Sequence, residues 1–329
     1  MPVIRAPQEF NTDDLFVDLR ELLGRRLFLK CEGFNFAGSV KLKAAAAMID
    51  AAESEGLLDR DSILVESSSG NLGVALAMIA ANRGYRFLCV TDLRVNEATR
   101  SLMEALGTEV HTIVEPSKDN GLLGARLDHI AALQAADERV VWLNQYANHA
   151  NWMAHYRTTA PSIARRFPEL SVLVVGAGTT GTLMGCARYF HEHHPEVRLV
   201  AVDAVGSVSF GGAPAPRLIP GLGMSVPPPQ LDTAYVDDII HVAEVDTVRT
   251  CRTLAAHGFL FGGSTGTVVK GALTWLDAHA TRSTTAVAIA PDLGERYLST
   301  IYARTWVEDN YGVDDDRGAL PAQVAGALR

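Results

Sequence analysis

The sequence predicts an α/β protein with mostly parallel sheets, and three observations carry that prediction. Short apolar runs alternate with Ala- and Leu-rich stretches of helical length, as in 63–66, 72–82 and 87–90, which is the pattern of strands joined by crossover helices. Two of the strand runs end in polar or glycine-rich turns that open a helix, at Ser67-Ser-Ser-Gly-Asn71 and Gly176-Ala-Gly-Thr-Thr-Gly181. Such turns are where open α/β sheets bind ligands. A chain of 329 residues, 48% of them hydrophobic, is long enough to build two cores.

Taken in order, an Ala-rich helix is expected over 41–54, a strand over 63–66, and a helix over 72–82 closed by Gly84. A strand over 87–90 follows, then a helix over 98–106 closed by Gly107, and a strand over 110–114. The stretch 122–133 is helix-like. Further strands are expected over 172–175, 199–202 and 286–290, with a helix over 183–191 behind the glycine turn. This repetition predicts a smaller domain over 35–146 and a larger one combining 1–34 with 147–310, followed by a tail over 311–329 that is charged and frayed. The Gly-, Pro- and Ser-rich stretch 206–229 reads as a long mobile loop of the kind that carries function.

Chemistry enters at Lys41, which follows Gly38-Ser39-Val40, a segment with little competing charge. An amine that must act as a nucleophile needs a low-polarity setting to hold it partly neutral. Lys43 is its neighbouring rival. The loop of Ser67, Ser68, Ser69, Gly70 and Asn71 stands between the apolar run 63–65 and an apolar helix. There, free backbone N–H groups and the helix dipole suit a substrate carboxylate, although the same residues also serve as an ordinary helix cap. Gly178, Thr179, Thr180, Gly181 and Thr182 form a second turn, in which backbone and hydroxyl donors can wrap a phosphate. The spacing Gly176-x-Gly178-x-x-Gly181, with Asp203 after the next apolar strand, also fits a dinucleotide fingerprint. That alternative leaves Lys41 and the serine loop without a role.

With these elements in order, the chain resembles the fold-type II pyridoxal phosphate enzymes of the cysteine synthase and cystathionine β-synthase family, from about Lys30 to Tyr302. The resemblance rests on Gly38-Ser-Val-Lys41, Ser68-Ser-Gly-Asn71, Gly178-Thr-Thr-Gly-Thr182 and Gly294-Glu-Arg-Tyr-Leu298. It implies a tryptophan synthase β-like fold, with two α/β domains and the cofactor in the cleft between them. It implies Lys41 as the residue that links to the cofactor and then moves the Cα proton, with Asn71 at the cofactor's 3′-oxygen. The 178–182 turn would be the phosphate cradle, and Ser264 a further cofactor contact. Ser67, Ser68, Ser69 and Gly70 would bind the substrate carboxylate, and Gly221 would line the substrate site.

Within the family, Asn144-Gln-Tyr-Ala-Asn148, the stretch 202–211, Pro220-Gly-Leu-Gly223, Gly262-Gly-Ser-Thr-Gly266 and Leu72 are similar to the branch that makes 2,3-diaminopropionate precursors. Enzymes of that branch join O-phospho-L-serine to L-glutamate and release phosphate, for siderophore or peptide-antibiotic assembly. A cysteine synthase acting on O-acetylserine or O-phosphoserine is the alternative, and a catalytically silent binding protein on the same fold is a third. Two positions depart from the family pattern. Leu293 stands where a serine or threonine usually meets the pyridine nitrogen, and Leu42 where many relatives carry aspartate. Arg126 and Tyr146 are the candidates for meeting the negative charge of phosphate and glutamate, with Arg217 as an alternative.

A net charge of −9 argues against nucleic acid or an anionic membrane as partner, both of which call for basic patches. No apolar run approaches the roughly 20 residues of a membrane span, and the N-terminus lacks a secretory apolar core, so the expected address is the cytoplasm. Cys31, Cys89, Cys186 and Cys251 are too widely separated for a metal site or a disulfide framework and read as buried thiols. The run His191-Glu-His-His194 ends a helix before Pro195 and reads as a solvated helix end, so no metal is expected. The expected partners are small amino acids, and the resemblance implies a homodimer.

Overall fold

The computed structural model describes residues 3–118 and 121–312, and the tail expected over 311–329 lies, beyond residue 312, outside the described residues. Among the described residues, ten strands form two sheets. They are β1 (Phe16–Asp18), β2 (Leu27–Cys31), β3 (Ile63–Ser67), β4 (Arg86–Asp92), β5 (Glu109–Ile113), β6 (Val140–Trp142), β7 (Val172–Gly176), β8 (Arg198–Ala204), β9 (Asp238–Val242) and β10 (Ala286–Ala290). The smaller sheet runs β5-β4-β3-β6 and is parallel throughout. The larger runs β1-β2-β10-β7-β8-β9, and only its edge strand β1 is antiparallel.

The helices are α1 (Arg20–Leu23), α2 (Lys41–Ser54), α3 (Asn71–Arg83), α4 (Glu97–Ala105), α5 (Gly121–Ala136), α6 (His149–Arg157), α7 (Thr159–Arg166), α8 (Gly181–His193), α9 (Glu244–Ala256), α10 (Gly263–His279) and α11 (Arg304–Tyr311). The expected helix over 41–54 is α2 with the same bounds, and Gly84 and Gly107 do stop α3 and α4, at φ +80° and +82°. Tyr311, assigned to the frayed tail, instead closes α11.

Both sheets are covered on both faces, which is why their strands read as continuous apolar runs. In β7, Val172 and Val174 enter one core while Leu173 and Val175 enter the other. In β3, Leu64 packs with α2, α3 and Met103, whereas Ile63 and Val65 pack against Ile130 of α5. Four strands were not legible in the sequence. β2 is interrupted by Lys30, a lysine buried at 0% exposure that is neutralised by Glu32 at 3.0 Å. β1 and β6 are only three residues long, and β9 alternates as an edge strand.

Residues 206–229 hold no helix or strand, as expected, but they are tied down rather than loose. Val208 N–H donates to Met224 O at 2.9 Å and Gly223 N–H to Ala177 O at 2.8 Å, while the Glu244 carboxylate accepts from the backbone of Leu218 and Ile219.

The contact that matters most for the site is between α6 and α8. It is possible only because α8 presents Gly181 and Gly185 on one face. A Cβ at Gly181 would lie 2.1 Å from Asn151 Oδ1, and one at Gly185 would lie 2.2 Å from the backbone oxygen of Trp152 and 2.7 Å from His155 Cβ. A backbone oxygen cannot swing away as a side-chain tip can. Gly185→Ala should therefore destabilise the protein by about 1–3 kcal/mol, the overpacking penalty outweighing the roughly 1 kcal/mol that alanine gains in helix propensity. Urea unfolding of the cofactor-free protein measures this, and an unchanged or raised midpoint would refute the steric argument.

Candidate active site

The carboxyl ends of β3, β4, β7 and β10 point into one cleft between the sheets, as expected for parallel α/β layers. Its cavity, of about 220 Å³, is lined by Lys41, residues Ser67 to Leu72, Gly178 to Thr182, Tyr146, Gly221 and Ser264. Lys41, the serine-loop and glycine-turn residues, Ser264, Gly221, Tyr146, Arg126 and the alternative Arg217 line this one cavity, whereas the rival Lys43 does not.

Lys41 opens α2, and burial pulls its amine down from 10.5 to about 8 against the opposing pull of the Asp292 carboxylate. The depressed value supplies the partly neutral amine that nucleophilic work requires. Lys43 is excluded as a rival by its partners: its Nζ lies 2.8 Å from Asp13 Oδ1 and 3.0 Å from Glu32 Oε1, and although burial opposes it, these carboxylates raise its pKa.

Asp292 holds the entrance to α2 in place. Its Oδ2 accepts from Tyr297 Oη at 2.5 Å and from Asn71 Nδ2 at 3.1 Å, and its backbone oxygen accepts from Gly262 N–H and Thr265 Oγ1. Asn71 Oδ1 in turn accepts from Arg296 Nη1 at 2.5 Å, and Arg296 Nη2 donates to the oxygen of Ala37. Val40 N–H donates to Pro291 O at 2.7 Å and Leu293 N–H to Gly38 O at 3.2 Å. The end of β10 thus clasps both the segment that delivers Lys41 and the start of α3. Burial raises the Asp292 pKa against the lowering effect of Tyr297, Asn71 and Arg296.

The serine loop divides its duties. Ser68 Oγ accepts from the N–H groups of Gly70 and Gly73 at 3.3 and 3.0 Å, so it caps α3 while its own proton stays free. Ser67 Oγ lies 3.2 Å from Tyr146 Oη, which places the phenol at the loop. Beneath them Glu66 accepts from Ser67 N–H, Trp142 Nε1 and Gln145 N–H, and burial pushes it up to about 7 against these donors.

The glycine turn has the form of an anion cradle. Thr180 adopts φ +68°, a left-handed conformation that is uncommon for a β-branched residue. The hydroxyls of Thr179 and Thr180 are buried without any partner in the protein, and α8 begins at Gly181 with its free N–H groups. A Cβ at Gly178 would lie 2.6 Å from Gly221 O, so the 206–229 loop closes directly over the turn. Orphaned donors, a strained N-cap and a helix N-terminus together fit a phosphate group, and the neighbouring amine of Lys41 fits the aldehyde of pyridoxal phosphate.

Two features change the sequence reading. Leu293 is not a cleft residue. It packs on the core of the larger sheet beside Gly33, so its inability to hydrogen-bond removes nothing from the cleft. Ser264, at the start of α10, is the hydroxyl that reaches the cleft on that side, facing Gly221.

The second feature is charge. Arg94, Arg126, Arg217 and Arg296 line the cleft together with Lys41, and among the described residues no aspartate or glutamate does. Asp92 stands behind, 2.7 Å from Arg94 Nη2 and 3.4 Å from Arg126 Nε. Arg126 is 5% exposed, buried rather than solvated. Arg94 and Arg296 were not singled out from the sequence. The available signal was their position just past the carboxyl ends of β4 and β10.

Comparison with known proteins agrees with this geometry. Residues 15–292 match the family described as pyridoxal-phosphate dependent enzyme. The chain is 38% identical over 283 residues to N-(2-amino-2-carboxyethyl)-L-glutamate synthase of Ralstonia nicotianae, a match that spans 85% of this chain and 83% of the relative. Among solved structures, O-ureido-L-serine synthase superimposes with a TM-score of 0.83 at 34% identity, covering 96% of this chain and 98% of that one. The O-acetylserine dependent cystathionine beta-synthase from Helicobacter pylori gives a TM-score of 0.83 at 27% identity, covering 92% and 100%. The glycine turn is therefore not a dinucleotide site. The chain belongs to the pyridoxal-phosphate dependent enzyme family, and pyridoxal phosphate is its cofactor.

Proposed function

We propose that the protein replaces the phosphate of O-phospho-L-serine with the amine of L-glutamate, giving N-(1-amino-1-carboxyl-2-ethyl)-L-glutamate and inorganic phosphate as a precursor of L-2,3-diaminopropionate. One observation carries the proposal: the cleft is lined by Arg94, Arg126, Arg217 and Arg296 and, among the described residues, by no carboxylate. In a chain of net charge −9, that local excess suits two anionic substrates and an anionic leaving group. The 38% identical relative, whose name describes this product, supports the same reading.

The cofactor, when bound, supplies an electron-poor ring that takes up the electron pair freed at the substrate Cα. The chain's own residues do the rest. Lys41 would anchor the cofactor and, once displaced by the substrate's own amine, would take up the Cα proton. The 178–182 turn would hold the phosphate, Ser264 would add a hydroxyl, and Asn71, fixed by Asp292 and Arg296, would offer its amide to the ring. Ser69, Gly70 and the start of α3 receive the substrate carboxylate beside Ser67 and Ser68, and Gly221 floors the site. Arg126 and Tyr146 would hold the phosphate that leaves Cβ with the electron pair of its C–O bond; the glutamate amine would then form the new C–N bond and lose its proton to solvent, and Lys41 would return the proton to Cα. The proposal includes a smaller domain over 35–146 set against a larger one, and a cytoplasmic homodimer, as the family resemblance implies.

Three measurements test this. Incubation with O-phosphoserine and each of glutamate, sulfide and homocysteine should yield the glutamate adduct by mass; cysteine or a thioether instead would assign the protein to sulfur chemistry. Arg126→Ala should lower kcat/KM for O-phosphoserine on the order of tenfold to a hundredfold while sparing O-acetylserine, the effect of losing a charged hydrogen bond. Equal losses would remove Arg126 from phosphate recognition. Because the Lys41 amine is depressed to about 8, capture of pyridoxal phosphate by the cofactor-free protein should accelerate as pH rises through that value and then level off. Borohydride should fix the added mass at Lys41, and a rate flat through this range would contradict the depressed amine.

A further inference from the structure

Behind the phosphate turn runs a buried polar chain that the proposed chemistry does not use. It begins at Lys43, whose Nζ has three partners: Asp13 Oδ1 at 2.8 Å, Glu32 Oε1 at 3.0 Å and Thr159 Oγ1 at 3.2 Å. An ammonium has three hydrogens and no lone pair, so each contact consumes one donor and Thr159 Oγ1 must accept. The single hydroxyl hydrogen of Thr159 is then left for His155 Nδ1 at 3.1 Å. An Nδ1 that accepts leaves the ring proton on Nε2 in a neutral imidazole. His155 Nε2 lies 3.2 Å from Thr182 Oγ1, so Thr182 accepts there and its own hydrogen is released toward the cleft it lines.

We infer that His155 is a positioning residue, fixed as the Nε2–H tautomer by a one-way series of donors starting at Lys43, which turns the Thr182 hydroxyl proton toward the cofactor phosphate. The inference rests on the assignment of the 178–182 turn to that phosphate. The surroundings agree with a neutral ring: His155 is 0% exposed, and burial, with the charges of Lys43 and Lys41 adding to it, holds its pKa well below the usual value. Direction is set by the far end, because Lys43 cannot accept, and an ammonium held by two carboxylates keeps its charge. The close approach of α8 to α6 at Gly185 brings the imidazole within reach of Thr182.

The test combines spectroscopy on the unmodified protein with two variants. Nitrogen-15 histidine NMR should show one ring, absent from spectra of His155→Gln, with Nε2 protonated and Nδ1 bare, unchanged from about pH 5.5 to about pH 8.5, across the ordinary histidine range. Affinity for pyridoxal phosphate and for pyridoxal, which lacks the phosphate, is then titrated on the cofactor-free proteins. His155→Leu should weaken pyridoxal phosphate about tenfold, near 1.4 kcal/mol for one hydrogen bond to a charged group, and leave pyridoxal unchanged. His155→Gln, which keeps a donor near the Nε2 position, should recover most of that loss. A proton on Nδ1, titration of the ring within that range, or equal weakening of both ligands would overturn the inference. Failure of the unmodified protein to prefer pyridoxal phosphate over pyridoxal would instead overturn the assignment of the turn, and the inference with it.

Discussion

The structure depends on one buried carboxylate, that of Asp292. It stands at the end of β10 in the larger sheet, yet its partners belong to the start of α3 and the residues after β10, and the adjoining backbone holds the 38–40 segment that leads into α2. A carboxylate at 1% exposure is costly to keep charged unless donors meet its lone pairs, and Tyr297 and Asn71 do this at Oδ2 while Oδ1 has no partner within the protein. The result is a rigid junction between two separately packed sheets, placed where the reactive amine emerges. Burial outweighs the pull of the Asp292 carboxylate on Lys41, and the amine is left nucleophilic.

Lys41 and Lys43 illustrate how two residues only two positions apart can be given opposite fates. Both are lysines on the same turn of α2 and both are largely withdrawn from water. Lys43 faces Glu32 and Asp13 and stays charged, whereas Lys41 faces the cleft and is driven toward neutrality. Geometry alone separates a structural cation from a reactive amine.

Much of this was legible in the sequence because it is local. The Ala-rich α2, the glycine-stopped α3 and α4, and the two ligand turns are each written in 14 residues or fewer, and the turns carried the family with them. Arg126 was found because it lies on a recognisable helix. Arg94 and Arg296 were not, because what brings them together is the order of strands in two different sheets, and strand order has no local signature. The chain from Lys43 to Thr182 escaped for the same reason. Its members lie on α2, α6, α7 and α8, and Thr159 and His155 become neighbours of the phosphate turn only through the glycine contact between α6 and α8. Leu293 misled in the opposite direction, since a motif position taken from relatives proved to belong to the core.

A cleft whose charged wall residues, among those described, are all cations cannot tell an arriving anion from a departing one. Inorganic phosphate and a tricarboxylate adduct meet the same guanidinium groups that drew in the starting materials, so tight capture and prompt discharge pull against each other. Asp92, set behind Arg94 and Arg126 rather than in the cleft, moderates that grip without adding a repulsive group to the wall. Where the same charges hold substrates and products, release competes with bond making for control of turnover, and the ionic strength of the surroundings acts on both.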